Sequence, residues 1–437
     1  MTQPAEDVTD SQSTGSQENG HTRVEIAWSP WRAVVGFGLV SLSADMVYEG
    51  ARSITGPLLA SLGASAVLVG LVTGAGEAMA LVLRVVFGSW ADRSGRYWTL
   101  TLTGYAVTAV CVPALAITPF LATAGLGLAC LLILAERTGK AVRSPAKTAL
   151  LAHAAGAVGL GRGFAVHKAL DQTGAVAGPL LVAAVAGVVG ALWPALAVLV
   201  VPGVAALLIL VWIRRKTGDP ATPIDQPATP PARGVTAPGR TRWLRSTDSL
   251  PTAFWLFAAT AGAATAGLVT FGVISYHLIR DQVVPVAAVP LIYAAGMAAE
   301  ALAALATGWL FDRVKGRVLL ALPFLVAVVP PLAFTQSAPI AVAGVLIWGL
   351  AMGVQDSTVK ALVADLVPTT RRATAYGVFA AVQGAAAILG GGLAGMLYEH
   401  SLPTLIVVVG ATQLAALVLL VITLRQAKQK DHAAVAR

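Results

Sequence analysis

The sequence predicts an all-α integral membrane protein, with twelve transmembrane helices in two pseudo-symmetric six-helix bundles. The first observation is compositional: of 437 residues, 57% are hydrophobic and 12% charged, whereas a soluble domain carries about 25% charged residues. With a mean hydropathy of +0.76, there is more apolar sequence than soluble cores could hide. Second, the apolar residues fall in runs of the roughly 20 residues that a helix needs to cross a bilayer. Third, the two halves of the chain repeat segments of each other, as duplicated membrane proteins do.

The elements follow in order. Residues 1–30 are rich in Ser, Gln, Thr and acids. They lack the basic start, apolar core and cleavage site of a secretory signal, and read as a disordered cytoplasmic tail. Spanning runs occupy about 32–60, 66–89, 98–120, 122–142, 162–186 and 190–213, placing a first bundle over 31–214. The stretch 215–250 holds Pro220, Pro223, Pro227, Pro230, Pro231 and Pro238 and reads as a flexible cytoplasmic linker. Runs at 252–278, 285–310, 317–335, 339–362, 373–397 and 403–424 complete a second bundle over 251–425, leaving 426–437 as a cytoplasmic tail.

Charge placement sets orientation, because Lys and Arg are retained on the cytoplasmic side. Arg93, Arg96, Lys140, Arg143, Lys147, Arg162, Arg214, Arg215, Lys216, Arg313, Lys315, Arg317, Arg371 and Arg372 fall at one set of span ends, and Arg280 at the other. Both termini are thus expected in the cytoplasm, with the chain in the inner (cytoplasmic) membrane. The net charge of +9 is spread between apolar runs rather than clustered on a soluble face, so nucleic acid is not an expected partner. Lipid and a small-molecule substrate are the expected partners, and the chain is expected to act as a monomer. Cys111 and Cys130 lie inside apolar runs and read as packing residues. No Walker A pattern, zinc-type spacing or nucleophile elbow is present, which argues against a pump driven by ATP and against an enzyme.

Two internal repeats support duplication. Gly88-Ser-Trp-Ala-Asp92-Arg93-Ser-Gly95-Arg96 follows the second span, and Gly308-Trp-Leu-Phe-Asp312-Arg313-Val-Lys-Gly316-Arg317 follows the eighth with one residue inserted. At a constant offset of 212, Ala149-Leu150 matches Ala361-Leu362, Phe164 matches Tyr376, Val166 matches Val378 and Gly178 matches Gly390. The loop signature, its degraded copy, the twelve spans and the long central loop resemble the major facilitator superfamily of secondary transporters over about residues 31–425. Glu136-Arg137-Thr-Gly139-Lys140-Ala-Val-Arg143-Ser-Pro145 looks like a bacterial subgroup of that superfamily without an assigned substrate. The resemblance implies two bundles rocking around a central cavity, with Gly88, Asp92, Arg93, Gly95 and Arg96, together with Asp312 and Arg313, as gating residues. It implies that Asp92 meets the start of the eleventh span near Thr370 to Arg372, and Asp312 the start of the fifth near Arg162. Gly174-Ala-Val-Ala-Gly178-Pro179 resembles part of the fifth-helix pattern of antiporters. Ala165 stands there in place of an upstream Gly, and the trailing Gly pair is absent.

The charged residues inside spans are the site candidates, since ionisable groups at depth usually face a bundle interior or wet cavity. Asp45, Glu49 and Arg52 share one face of the first span, and Glu77 and Arg84 one face of the second. Asp45, Glu49, Glu77 and Glu300 are the candidates for proton coupling, because burial and a nearby Arg act on a carboxyl in opposite directions. Arg52, Arg84, Glu136, Arg137, Asp171 and Gln355 are the substrate-binding candidates. Some of these charges have a plainer reading as packing pairs: Glu49 with Arg52, Lys168 with Asp171, Asp356 with Lys360. His167 and His277 read either as titrating groups or as hydrogen-bonded packing residues, and Tyr48, Trp255, Tyr276, Tyr293 and Trp348 as cavity walls or interface anchors. The expected function is proton-coupled export of a small organic molecule, with no cofactor and the proton gradient as energy source. The alternatives are proton-linked uptake of an organic anion or nutrient, and a membrane sensor on the same fold.

Overall fold

The computed structural model describes residues 29–217, 250–368 and 371–435. The tail expected over 1–30 thus falls almost wholly outside the described residues, as does most of the expected linker, together with Thr370.

Among the described residues the spans are helical, with short interruptions in the first, sixth and seventh. The first span runs Pro30–Ser53 and resumes as Thr55–Ser61, the second is Ala66–Ser94, and the third is Tyr97–Ala114 followed by a 3-10 segment, Leu115–Phe120. The fourth is Thr123–Ala155, the fifth Leu160–Val189, and the sixth Leu192–Ala197 with Val200–Thr217. In the second half the seventh span is Thr252–Gly267 with Phe271–Arg280, the eighth Ala288–Val314, and the ninth Lys315–Leu320 with Ala321–Ala333. The tenth, eleventh and twelfth are Ala338–Leu366, Arg372–His400 and Leu402–Val435.

Among the described residues, ten segments are long and apolar enough to cross a membrane by length and composition. The difference from twelve has two causes. The eighth and ninth spans join as one helical stretch, Ala288–Ala333, because the loop between them is 3-10 helix. The fourth, with Glu136, Arg137, Lys140, Arg143 and Lys147 along it, is too charged to qualify. Outward-facing residues such as Val188, Leu305, Leu389 and Val407, 87%, 75%, 71% and 67% exposed, form the apolar coat of a multi-pass membrane protein.

The loop signature has a local physical reason. Gly95 ends the second span in the left-handed region, φ 62°, with its N–H bonded to the Ala91 carbonyl, a position where glycine carries no Cβ penalty. In the second copy the chain turns at Lys315, φ 54°, so a side chain occupies the strained position and glycine follows one residue later.

The repeat is also visible in packing. A Cβ on Gly178 would lie 2.3 Å from the Met46 carbonyl oxygen, and one on Gly390 2.3 Å from that of Ala266. The fifth span therefore lies on the first as the eleventh lies on the seventh. Between halves, the second and eleventh spans approach just as closely. A Cβ on Gly70 would meet the Gly391 carbonyl oxygen at 2.0 Å, and one on Gly395 that of Ala66 at 2.2 Å. This seam starts at the end of the molecule with the short loops, opposite the Arg- and Lys-rich span ends.

Candidate functional site

The charged stripe on the first span is the spine of the site. Asp45 and Glu49 are 5% and 3% exposed, and helical spacing directs both, with Arg52, to the same face. Arg52 forms a 2.6 Å ion pair with Glu77 of the second span and lies 3.8 Å from Glu49. The second cation at Glu77 is Arg137 of the fourth span, at 4.0 Å. Arg84, the expected base on the second span, is half-buried, and its Nε has no hydrogen-bond partner. Arg137 also pairs with Glu136 through Nε at 3.2 Å. Glu136 in turn lies 4.0 Å from Arg143, whose guanidinium donates to the Thr108 hydroxyl.

Tyr48 organises the cations of the fourth span. Lys140 Nζ sits 3.9 Å from its ring centroid, with the guanidinium carbons of Arg137 and Arg143 each at 5.6 Å. The ring's negative quadrupole attracts each cation and so offsets part of their mutual repulsion. Toward the basic end, Asp45 lies against Asp171 of the fifth span. Asp171 accepts from the Ser41 hydroxyl at 2.6 Å and from Lys168 at 2.9 Å, and Lys147 donates to Ser41 at 3.1 Å. The expected Lys168–Asp171 pair is therefore present. His167 is buried, with Nε2 unpartnered.

A cavity of about 120 Å³ lies between the halves. The first half contributes Arg52, Glu77 and Leu81; polar groups from the second include Thr265, Thr270, Gln355, Asp356 and Gln383, with Trp348 and Met352 as apolar wall. The amides of Gln355 and Gln383 both donate to the Thr265 hydroxyl, at 3.5 and 3.3 Å, and Gln355 Oε1 has no partner. Leu268, Val269 and Thr270, the non-helical break of the seventh span, also face this cavity. Such breaks near the midplane free backbone groups beside a binding site.

Of the residues expected to bind substrate, Arg52 and Gln355 line the cavity. Arg137 lines a smaller recess of about 30 Å³ beside it, with Arg52, Glu77, Thr73 and Thr270. Glu136 and Asp171 are tied into contacts within the first half instead. Glu300 is 9% exposed, within electrostatic reach of Glu49 and Asp356. Asp356 is exposed; the side chain of Lys360, its expected partner, is outside the described residues. Sequence reasoning missed Gln383, Thr265 and Thr108, uncharged residues with no spacing signal of their own.

Asp92 is exposed and accepts from the Tyr97 hydroxyl at 3.3 Å. Asp312 is exposed, and Arg313 lies 3.6 Å over the Trp309 ring. His277 is a structural histidine at the other end, between Asp281, Tyr398 and the Thr335 carbonyl at 3.0, 3.2 and 3.2 Å.

Among the described residues, polar contacts that bridge the halves include Tyr293 to Glu49, Thr73 to Thr270 at 2.8 Å, Gln172 to the Met297 carbonyl at 3.4 Å, and the Ala66 N–H to Glu399 at 2.6 Å.

The comparisons agree with this architecture. The family model of the Major Facilitator Superfamily matches residues 37–322 and 256–437. Uncharacterized proteins of Mycobacterium tuberculosis and Mycobacterium bovis are each 50% identical over 395 residues, covering 90% of this chain and 93% of the relative. Among solved structures, a mutant of the nucleoside transporter NupG superposes with a TM-score of 0.70 at 13% identity, over 90% of this chain and 99% of that one. A bacterial homolog of the human lysosomal transporter Spinster, inward-facing and unoccupied, gives 0.64 at 16% identity over 90% and 95%. A POT family transporter in complex with 5-aminolevulinic acid gives 0.66 at 12% identity over 91% and 96%. With this fold and a family match across most of its length, the chain belongs to the major facilitator superfamily and is a secondary transporter rather than an enzyme.

Proposed function

We propose that the chain is a proton-coupled exporter of a compact polar organic molecule in the cytoplasmic membrane, with both termini and the basic span ends in the cytoplasm. It needs no cofactor; the proton gradient supplies the energy. The observation that carries this reading is the double position of Glu77. Its carboxylate lines the cavity, accepts from Arg52 and has the Arg137 guanidinium 4.0 Å away. A proton on Glu77 and a substrate group drawn to the same ion pair therefore compete, and competition for one site is the physical basis of antiport. The cavity offers acceptors at Asp356, Glu77 and Gln355 Oε1, of which Gln355 Oε1 is buried without a partner; this suits a substrate bearing N–H or O–H donors, because a buried acceptor left unpaired is costly.

The test begins with a thermal-shift screen of purified protein against metabolites and drugs, since a ligand that binds the folded state raises apparent stability. A hit is then added outside proteoliposomes loaded with a pH-sensitive dye. Antiport predicts luminal alkalinisation as ligand enters against protons. Luminal acidification would instead establish the alternative, proton-linked uptake of an anion or nutrient, and no ligand movement at all would favour a sensor. Glu77→Gln is expected to abolish the pH signal while ligand exchange at equal pH persists.

A further inference from the structure

Among the contacts that bridge the halves, the one between Tyr293 and Glu49 stands apart. Thr73 and Thr270 are neutral, Gln172 reaches a backbone carbonyl, and Glu399 is exposed at the short-loop end. Tyr293 and Glu49 are 0% and 3% exposed, and the acceptor is a carboxylate of the first-span stripe. The phenol is held firmly by its own half. Its ring centroid lies 4.5 Å from that of Phe271 and 6.0 Å from that of Trp348. Trp348 lines the cavity and donates its indole N–H to the Val269 carbonyl in the seventh-span break, at 3.0 Å. The donor thus moves with the second half and the acceptor with the first.

We propose that Tyr293 is the residue through which the second half reads a proton on the first: its hydroxyl holds the short-loop seam closed while Glu49 is ionised and releases it when Glu49 is protonated. This rests on the proton-coupling reading above, in which Glu77 carries the exchanged proton, and adds Glu49 of the same charged cluster as the carboxylate whose protonation Tyr293, as positioning residue, passes to the second half. A hydrogen bond to an ionised carboxylate is roughly twice as strong as one to a neutral acceptor, so protonation alone loosens the seam. Linkage makes the effect reciprocal: closing the seam returns the phenol to the carboxylate and drives the proton off.

The other groups facing Glu49 do not do this work. Tyr48 and Arg52 are on its own helix. Glu77 of the second span is held by Arg52. Arg137 and Lys140 approach from the fourth span, while Asp171 of the fifth faces Asp45. All of these travel with Glu49 in the first half. Glu300 of the eighth span comes from the second half, but as a carboxylate it cannot donate while ionised.

Spin labels at Ser61 and Gln282, exposed at the short-loop ends of the first and seventh spans, read the seam directly in nanodiscs between pH 5 and 8, with Cys111 and Cys130 replaced by Ala. Wild type is expected to open on acidification. Tyr293→Phe keeps the ring and removes the donor. It is expected to raise the open population at high pH by about tenfold and to lose the pH response. Glu49→Gln carries the same expectation if the tyrosine variant folds poorly, and the double variant should add nothing to either single change. A pH response in Tyr293→Phe equal to wild type overturns the proposal and leaves proton coupling standing. A wild type whose distances ignore pH overturns both.

Discussion

Arg143 is 4% exposed, donates to Thr108, lies 4.0 Å from Glu136, and stacks 4.7 Å over Tyr105. Breaking a buried ion pair outright costs about 3–5 kcal/mol; Glu136 keeps Arg137 at 3.2 Å, so the loss of Arg143 costs less than that from the pair and adds the lost Thr108 bond and Tyr105 stacking. Arg143→Ala is therefore expected to lower the thermal unfolding midpoint in detergent markedly. Arg143→Lys should recover only part of the loss, because an ammonium lacks the planar guanidinium that stacks and donates in a fork. An unchanged midpoint in the alanine variant would refute the structural role. In sequence, Arg143 reads equally well as one of the basic groups at a helix end, since the positive-inside pattern and a buried network use the same residue type on the same helix. The identity of the second cation at Glu77 was hidden for a different reason. Glu77 and Arg84 share a face but stand seven residues apart, roughly 10.5 Å along the axis, whereas Arg137 reaches Glu77 from a separate span that only tertiary packing brings near. What spacing did reveal was the Asp45–Glu49–Arg52 stripe, because helical periodicity alone decides which residues share a face.

Helix pairing is set by small residues more than by charges. A Cβ on Gly178 would sit 2.3 Å from the Met46 carbonyl oxygen, while one on Gly127, within the fourth span, would meet nothing within 4 Å. In membranes, close backbone approach supplies much of the packing energy between helices. Gly178→Val is expected to push the fifth span off the first and sharply reduce the yield of folded protein. Gly127→Ala should leave both yield and unfolding midpoint near wild type. Size-exclusion profiles and thermal unfolding of the two variants decide it; equal behaviour would mean that the seam is not tight. The order of spans was legible because apolar runs report it directly; their number was less so, since ten segments qualify by length and composition among the described residues. Their ends were not: the fourth span was expected to stop near residue 142 but runs to Ala155, and the last continues to Val435. Hydropathy marks where a helix leaves lipid, while hydrogen bonding lets it continue into water.

At the scale of the whole molecule, each end has its own carboxylate at a helix terminus. Glu399, from the last turn of the eleventh span, accepts from the Ala66 N–H in the first turn of the second span, at 2.6 Å. Ser65 caps the same terminus through Leu68. This contact bridges the halves at the short-loop end, so opening of that end is expected to break it. Asp92 stands exposed at the basic end, with the Tyr97 hydroxyl donating to it, and is proposed to face the start of the eleventh span when that end closes. A carboxylate at a helix N-terminus contributes about 0.3–1 kcal/mol when exposed and up to ~2 kcal/mol when partly buried, and a contact made in one state biases the equilibrium by its differential contribution. The two carboxylates should therefore act in opposition. Glu399→Ala is expected to favour opening of the short-loop end, and Asp92→Asn to favour the state with that end closed. Because the sites lie at opposite ends and share no partner, their effects should add, so the double variant should return toward the wild-type distribution. Paired spin labels at both ends provide the measurement. If Asp92→Asn leaves the distances at the basic end unchanged, the loop aspartate acts in topology alone and the gate must be held by the helix packing around it.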